Sequence, residues 1–320
     1  MLALYRYFVA IVDHGGFTAA SVALGVTQPT LTRSLQTLEF RLGVQLLDRS
    51  GGATLPTAQG MLLLRRARLL LAENRSVIED LQQLSAGRLP MTYINGSPMT
   101  GLSLIPNILR RMAHAHPEFP VSVRGDIGAD YSWKLDAILS GELDVALTLY
   151  DPLIQRENLR QELLFEPEVR IVVGRTHPAA DDSEVTLEQL RELAWILPPA
   201  GSGSRAVVES EFAQHGLELP RRGVEISDWG VAFDLVESGD FVMAIPFHPS
   251  CFNNQLARLR ILPVHFTVRS LAIGMVSRPL SAGRPGTRAV MAMIRRTVAE
   301  SSGTQVSEAG SPRVRRKERH

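Results

Sequence analysis

The sequence predicts an α/β protein in three parts: a small helical head with a two-stranded wing, one long helix, and a larger α/β region of two subdomains. Three observations predict it. Apolar residues recur at helical spacing in three short runs up to residue 42, each stopped by glycine. A leucine-rich run from Met61 to Leu84 keeps a seven-residue repeat. Beyond residue 90, short apolar runs alternate with helical ones, the pattern of parallel sheets covered by helices on both faces. The 320 residues are enough for about two domains at roughly 150 residues each. With 45% apolar and 21% charged residues, the composition excludes disorder throughout and collagen-like repeats. A single cysteine, Cys251, excludes a disulfide scaffold.

Leu4, Phe8, Ile11 and Val12 place the first helix over residues 2–14, and Gly15-Gly16 stops it. Thr18 is the expected N-cap of a second helix carrying Ala19, Ala20, Val22, Ala23 and Leu24, which Gly25 ends. Thr27 caps a third that opens Gln28-Pro29, where the missing proline N–H has no helical partner to lose. Leu31, Leu35, Leu38 and Leu42 form its buried stripe, and Gly43 closes it. Leu46-Leu47-Asp48-Arg49, a Gly51-Gly52 turn and Thr54-Leu55 suit a short two-stranded wing. Two short helices joined by a glycine-containing turn make a helix-turn-helix, whose second helix enters the DNA major groove. An ordinary helical bundle can use the same apolar pattern for its core.

The residues themselves separate these readings. His14-Gly15-Gly16-Phe17-Thr18-Ala19-Ala20, Thr27-Gln28-Pro29-Thr30-Leu31-Thr32-Arg33 and Leu38-Glu39 followed by Leu42-Gly43 resemble the LysR-type transcriptional regulators. Leu46-Leu47-Asp48-Arg49 and Thr54-Leu55-Pro56-Thr57-Ala58-Gln59-Gly60 continue the resemblance in order and spacing. It implies a bacterial DNA-binding regulator with a winged helix-turn-helix over residues 1–60. After that, Leu64, Leu71 and Ile78 recur every seven residues, with Ala67, Asn74 and Leu81 three residues behind them. The resemblance makes residues 61–90 a linker helix and hinge that pair two subunits, through Leu64, Leu71, Asn74, Ile78 and Leu81. Asn74 in that seam would fix the register, as a single buried Asn can; the alternative is an Asn that faces solvent at a frayed point.

Ala86-Gly87-Arg88-Leu89-Pro90 reads as the hinge into residues 91–300. There, strands are expected at Thr92–Asn95, Val121–Arg124, Leu143–Leu149, Arg170–Val173, Ala194–Leu197, Val224–Ile226 and Val242–Ile245. Helices are expected at Leu104–Ala115, Lys134–Leu139 and Thr287–Ala299. So many elements exceed one five-stranded unit, which predicts subdomain I over about 91–163 and 265–300 and subdomain II over about 164–264. Gly141-Glu142-Leu143-Asp144-Val145-Ala146 and the pair Leu235-Val236, Gly239 with Ala244-Ile245-Pro246 resemble segments of the LysR-type effector domain. That domain's subdomains are like those of periplasmic binding proteins. Residues 301–320 are polar and then basic, and are expected to be disordered.

DNA reading needs phosphate contacts that position and base contacts that specify. Gln28 can pair with adenine and Arg33 with guanine, while Pro29 and the methyls of Thr30 and Thr32 can meet thymine. Thr27 joins them at the helix start, and Arg49 and Thr54 in the wing are candidates for backbone or minor-groove contact. The bland alternative makes Thr27 and Gln28 capping residues only. For the effector, the family's cleft between subdomains points to Ser97, Pro98, Met99 and Thr100 after the first strand, and to Thr148, Gly201, Ser202, Ser204, Arg205 and Pro246. Ser97 and Thr100 can donate to an anion, so a small anionic molecule is one candidate effector. Ser97 and Ser202 can also be simple helix caps.

A catalytic alternative remains: a small-molecule-binding or dinucleotide-using α/β enzyme whose N-terminal helices only dimerise. Gly201, Gly203 and Ala206 after a strand, with Glu225 downstream, imitate a dinucleotide fingerprint, although Pro198-Pro199 intervene. Eight histidines without H-x-x-x-H spacing and one cysteine argue against zinc, and no metal or cofactor is expected. A thiol–imidazole pair of Cys251 with His248 is conceivable, against a buried structural cysteine. Uncharged stretches are studded with Gly, Pro, Asn or His and make poor membrane spans, so a cytoplasmic location is expected. The expected partners are double-stranded DNA with an inverted repeat, an effector, and further copies of the chain as a dimer or tetramer.

Net charge first argues against DNA: 34 basic against 33 acidic residues leave +1. Divided along the chain, it does not. Residues 1–90 hold nine Arg and six acids, so they carry +3, and residues 301–320 carry five basic against two acidic, again +3. Residues 91–300 therefore carry −5, an acidic region offsetting two basic ends. A head at only +3 favours two heads on one duplex.

Overall fold

The computed structural model describes residues 1–48, 54–125, 131–152, 158–252, 257–268 and 272–303. Helices α1 (Leu2–Asp13), α2 (Phe17–Leu24) and α3 (Gln28–Leu42) enclose Phe8, Ile11, Ala20, Leu31, Leu35 and Leu38. Burying each such leucine or phenylalanine is worth about 1.5–3 kcal/mol, enough to hold helices too short to stand alone. The helix α2 starts earlier than expected. Its N-cap is Gly16, whose carbonyl accepts from Ala20 N at 3.1 Å, so Thr18 lies inside the first turn. The expected cap of α3 is present: Thr27 Oγ1 accepts from Thr30 N at 3.4 Å.

The wing is β1 (Leu47–Asp48) paired antiparallel with β2 (Leu55–Pro56). Glu39 ties it to α3, one carboxylate oxygen accepting from Leu46 N at 2.7 Å and Leu47 N at 3.4 Å. The Gly51-Gly52 turn and Arg49 lie outside the described residues. Helix α4 (Ala58–Ser85) then leaves the head, capped by Thr57, which accepts from Gly60 N at 3.0 Å. A Cβ at Gly60 would sit 2.0 Å from Leu46 O, so this close crossing of α4 and the wing requires glycine.

The expected pairing seam of α4 needs correction at its start. Leu64 is buried in the head of its own chain, because the first turns of α4 complete the head's core; Ala67 is buried as well and Leu71 half-buried. Met61 and Leu62 near its start are exposed, and farther along the helix so are Leu70, Val77, Ile78, Leu81 and Leu84, with Asn74 beside them. Leu70, Asn74, Val77, Leu81 and Leu84 again alternate steps of four and three. The open stripe therefore has heptad spacing but is turned around the helix from the expected one: it keeps Asn74 and Leu81, leaves Ile78 exposed at its edge, and does not include Leu64 or Leu71.

Past α4 come β3 (Thr92–Gly96), α5 (Pro98–Leu102), α6 (Leu104–Ala115), β4 (Val121–Val123), α7 (Tyr131–Leu139), β5 (Val145–Leu149) and β6 (Arg160–Phe165). The chain then enters a second sheet through β7 (Glu168–Gly174), α8 (Leu187–Arg191), β8 (Trp195–Leu197), α9 (Gly203–Gln214), β9 (Gly223–Glu225), α10 (Trp229–Glu237), β10 (Val242–Phe247) and β11 (Leu259–His265). It returns to the first through β12 (Ile273–Ser277) and ends the described part in α11 (Pro285–Gly303). Each sheet has five strands, ordered β4-β3-β5-β12-β6 and β11-β7-β10-β8-β9.

Both sheets are mixed, not parallel as the alternation predicts. Strand β12 runs antiparallel to β5 and β6, and β7 runs antiparallel to β10 and β11. The strands β6, β11 and β12 were not expected. Arg160–Phe165 is charged at one end and half-exposed, which hides its period, and β11 and β12 fall in or beside a segment read as the crossing between subdomains. The expected basic tail lies outside the described residues beyond residue 303.

Within each sheet one strand is a topological switch. Strand β3 lies between β4 and β5, and β8 lies between β9 and β10, each followed by crossovers leading to opposite sides. Ligands in open α/β sheets bind in the crevice outside the carboxyl end of such a strand. One apolar core runs across both sheets, including Met99, Leu147 and Met275 from the first and Phe233, Ile245 and Phe252 from the second.

Candidate DNA-reading face and effector crevice

Helix α3 buries Leu31, Leu35 and Leu38 at 0–1% exposure, so its other face must point away from the head. On that face Thr27, Gln28, Pro29, Thr30 and Arg33 are exposed and Thr32 is half-buried. Thr27 spends its oxygen on the cap and on Thr30 Oγ1, 2.8 Å away, and Thr32 Oγ1 donates to Gln28 O at 3.1 Å. Gln28 and Arg33 make no side-chain hydrogen bond among the described residues. An amide and a guanidinium held at a helix start without protein partners suit paired donor and acceptor readout of base edges. Thr54, half-buried, stands at the entry to β2; Arg49 is not described.

The two candidate effector loops follow the two switch strands and are built alike. After β3, Ser97 caps α5 and accepts from Thr100 N at 3.3 Å; after β8, Ser202 caps α9 and accepts from Arg205 N at 3.2 Å. Ser97 N donates to Leu147 O at 2.9 Å, which draws the first loop to Thr148 at the end of β5. Ser97, Thr100 and Thr148 thus form one group at the carboxyl edge of the first sheet. Thr148 and Thr100 are buried, Pro98 points outward, and Met99 points into the shared core. Gly201 and Ser204 are exposed, while Arg205 is anchored to Glu209 at 2.9 Å and to Pro198 O at 3.3 Å. Pro246 stands in β10, half-buried, just before a 3-10 turn (Pro249–Cys251) that packs on α5.

Comparison with known proteins settles what these parts belong to. Residues 2–61 match the family described as bacterial regulatory helix-turn-helix protein, lysR family, and residues 92–299 match the LysR substrate binding domain. This chain is a LysR-type transcriptional regulator. Its relatives include a probable RuBisCO transcriptional regulator of Cyanophora paradoxa, 31% identical over 73% of this chain and 72% of that one. They also include the SDS degradation transcriptional activation protein of a Pseudomonas strain, 31% identical over 90% and 92%. The fold is shared with the solved structure of full-length CbnR complexed with its target DNA, at TM-score 0.55, 21% identity, and coverage of 93% and 99%.

Sequence reasoning missed how the regulator joins its linker helix to its effector domain. Arg284 donates to Asp80 of α4 at 2.6 Å, to Asp144 at 3.0 Å and to Met91 O at 3.3 Å. Asp144, the acid of the Gly-x-x-Asp segment, is 2% exposed and also accepts from Tyr93 N at 2.9 Å. Beside them Arg278 faces Glu73 at 3.5 Å, and Arg75 donates to Ser140 O at 2.6 Å. A Cβ on Gly141 would sit 3.1 Å from Ala72 Cβ, so the segment lies directly on the linker. Burial raises the Asp80 carboxyl, with Arg284 pulling it back. A cavity of about 740 Å³ opens at this junction between Leu62, Arg65 and Leu69 of α4 and Trp133, Asp136 and Glu142. Only the Gly-x-x-Asp resemblance marked the site; Arg284 carried no sequence signal.

The regulator's one thiol is not poised for chemistry. Burial pushes Cys251 up to about 12, the Ser250 hydroxyl offsetting part of it. Burial also lowers His248 to about 4; its Nδ1 accepts from Ser250 N at 3.3 Å and its ring stacks on Phe165 at 4.1 Å. Neither thiolate nor imidazolium is available near neutral pH. The Gly201–Ala206 run is a serine-capped helix start, and Glu225 accepts from Ala200 N at 3.3 Å. Among the described residues no group of three His, Cys, Asp or Glu could hold a metal, and no helix is long and apolar enough to cross a membrane.

Proposed function

We propose that this regulator binds an inverted-repeat DNA site in the cytoplasm as a dimer, two α3 helices entering successive major grooves, and that a dimer of dimers forms on DNA through the effector domains. Gln28 and Arg33 read bases; Pro29, Thr30 and Thr32 fit thymine methyls; Thr27, Arg49 and Thr54 position the backbone. The linker helices pair along Leu70, Asn74, Val77, Leu81 and Leu84, with Ile78 at the edge and Asn74 fixing register.

A small molecule binds between the subdomains, touching Ser97, Thr100, Thr148, Ser202, Arg205 and Pro246, with Pro98, Met99, Gly201 and Ser204 shaping the loops. Its binding favours one arrangement of the subdomains, and Arg284 passes the change to α4 through Asp144 and Asp80. The effect is limited to the effector's differential affinity for the two arrangements. The chain performs no catalysis in this reading, which the buried, protonated Cys251 and neutral His248 support. Domain limits near residues 60, 90 and 300 follow from the same division of labour.

The single observation that carries the reading is the exposed pair Gln28 and Arg33 at the start of a helix whose opposite face is the head's core. A mobility shift on inverted-repeat DNA across a salt series tests it. Arg33→Ala should cost about 1–3 kcal/mol at one base position and leave the others unchanged. Leu81→Glu should give a monomer with weak binding. Absence of specific binding at every salt would overturn the proposal.

A further inference from the structure

We infer that the DNA-reading line of α3 runs on past Arg33, through Gln36 to Phe40. Gln36 takes a further adenine, and Phe40 covers the sugars at the rim of the groove. The inference rests on the α3 reading proposed above and adds two residues to it. At about 100° per residue, Leu31, Leu35 and Leu38 fall within about 60° of arc, and that arc faces the head's core. Pro29, Arg33, Gln36 and Phe40 fall within another arc of about 60°, on the opposite side of the helix. All four are exposed, and Thr32, half-buried, flanks them. Pro29, Thr32, Arg33 and Gln36 stand at i, i+3, i+4 and i+7, the spacing with which a helix lying along the major groove reads base edges.

The side chains around this line differ in what their own chain has already claimed. Thr32 Oγ1 donates to Gln28 O at 3.1 Å and Thr37 Oγ1 to Arg33 O at 2.8 Å, so both hydroxyls are spent on the helix backbone. Arg41 donates to Met1 Sδ at 3.6 Å, which draws it towards α1. Gln36 makes no side-chain hydrogen bond among the described residues. Its amide carries the donor and acceptor that match adenine N7 and N6. At 1.5 Å per residue it stands about 10 Å beyond Pro29, about three base-pair steps along the groove. Phe40 is 87% exposed, more than any other large apolar side chain among the described residues. Single exposed apolar residues are ordinary on protein surfaces. This one continues a line already aimed at DNA, and that continuity names what covers it. About 6 Å past Gln36, its ring has no polar group to read a base and suits deoxyribose and thymine methyls where the helix leaves the groove.

Selection by the full chain from a pool of duplexes with randomised half-sites tests this, each variant run beside the native chain. The native chain should enrich an A·T pair about one or two steps from the pair that Arg33→Ala releases. Gln36→Leu should erase that preference alone and weaken the selected site about tenfold. Phe40→Ser should weaken every selected site about tenfold with the same salt slope, because an apolar contact releases no counterions. Both positions lie in solvent, so each variant should melt at the native temperature. Selection of unchanged sites by Gln36→Leu, or unchanged affinity of Phe40→Ser, would overturn the inference. A shift of Phe40→Ser towards monomer in sedimentation without DNA would give the ring to a protein contact and overturn its part. If Arg33→Ala also leaves the selected sites unchanged, the α3 reading itself falls, and this inference with it.

Discussion

The linker helix meets its two neighbours by opposite means. At the head, Leu64 of α4, with Leu63 packed beside it, joins a continuous apolar core with Phe8, Ile11 and Leu35. At the effector domain, Arg75, Glu73 and Asp80 meet Ser140, Arg278 and Arg284 through hydrogen bonds and ion pairs. Close-packed apolar contacts lose energy steeply on any displacement, so the head and its helix move as one body. Hydrogen bonds and ion pairs hold the second junction through a few directional contacts, and Asp144 and Arg278 within it are buried, so breaking it leaves charges without partners. The helix is thus held to one neighbour by an apolar core and to the other by polar contacts between residues far apart in the chain.

The largest expected effect breaks the rigid joint. Leu64→Ala should destabilise the head by about 2–5 kcal/mol and lower its melting temperature, abolishing DNA binding as a consequence. Unchanged melting would show that α4 is not part of the head's core. Next comes Arg284→Ala, which removes the bridge and leaves Asp144 buried with only the Tyr93 amide. A loss of about 1.5–3 kcal/mol is expected. Hydrogen exchange should rise in α4 near Asp80 and leave the head's amides protected. Asp80→Asn should cost less than Arg284→Ala, because burial already opposes the charge it removes.

The seam between the subdomains sharpens the comparison, since it is apolar yet holds one titratable ring. Burial holds His248 at about 4, below the ordinary value of 6.5. The unfolded chain therefore takes up the proton first as pH falls. Stability from this group is complete above about 6.5 and lost progressively towards about 4. Thermal melting between those values should show the loss, and His248→Gln should remove that part of it. The smallest effect is a null one. With its thiol pushed up to about 12 and buried, Cys251 should resist iodoacetamide in the folded protein and label only after unfolding, read by mass spectrometry.

The head was legible because its information is local. Thr27 before Gln28-Pro29 fixes where α3 starts, and leucines three and four apart fix which face is buried, so the exposed positions of Gln28 and Arg33 follow. Ser97 and Ser202 were legible as helix caps for the same reason, each bonding three residues on. Thr18 was misread because a neighbouring glycine carbonyl began the helix sooner. The expected pairing seam failed in its first turns: periodicity finds an apolar stripe, but it does not tell whether the same chain or another covers it. Leu64 was claimed by its own head, and Leu70, Val77 and Leu84 were left open.

What the sequence determined by itself is therefore the kind of protein this is: its order of parts, the exposed face of α3, and two capped loops after two strands. Those follow from residues close together along the chain, where spacing and turn chemistry suffice. The tertiary structure alone decided the mixed sheets, the alignment of β3 and β8 as switch strands, and the meeting of Arg284 with Asp80 and Asp144, partners 204 and 140 residues away. It also brought Lys134 to the Gly96 carbonyl, 38 residues away. Such encounters depend on how separately formed elements pack, and no local pattern encodes them.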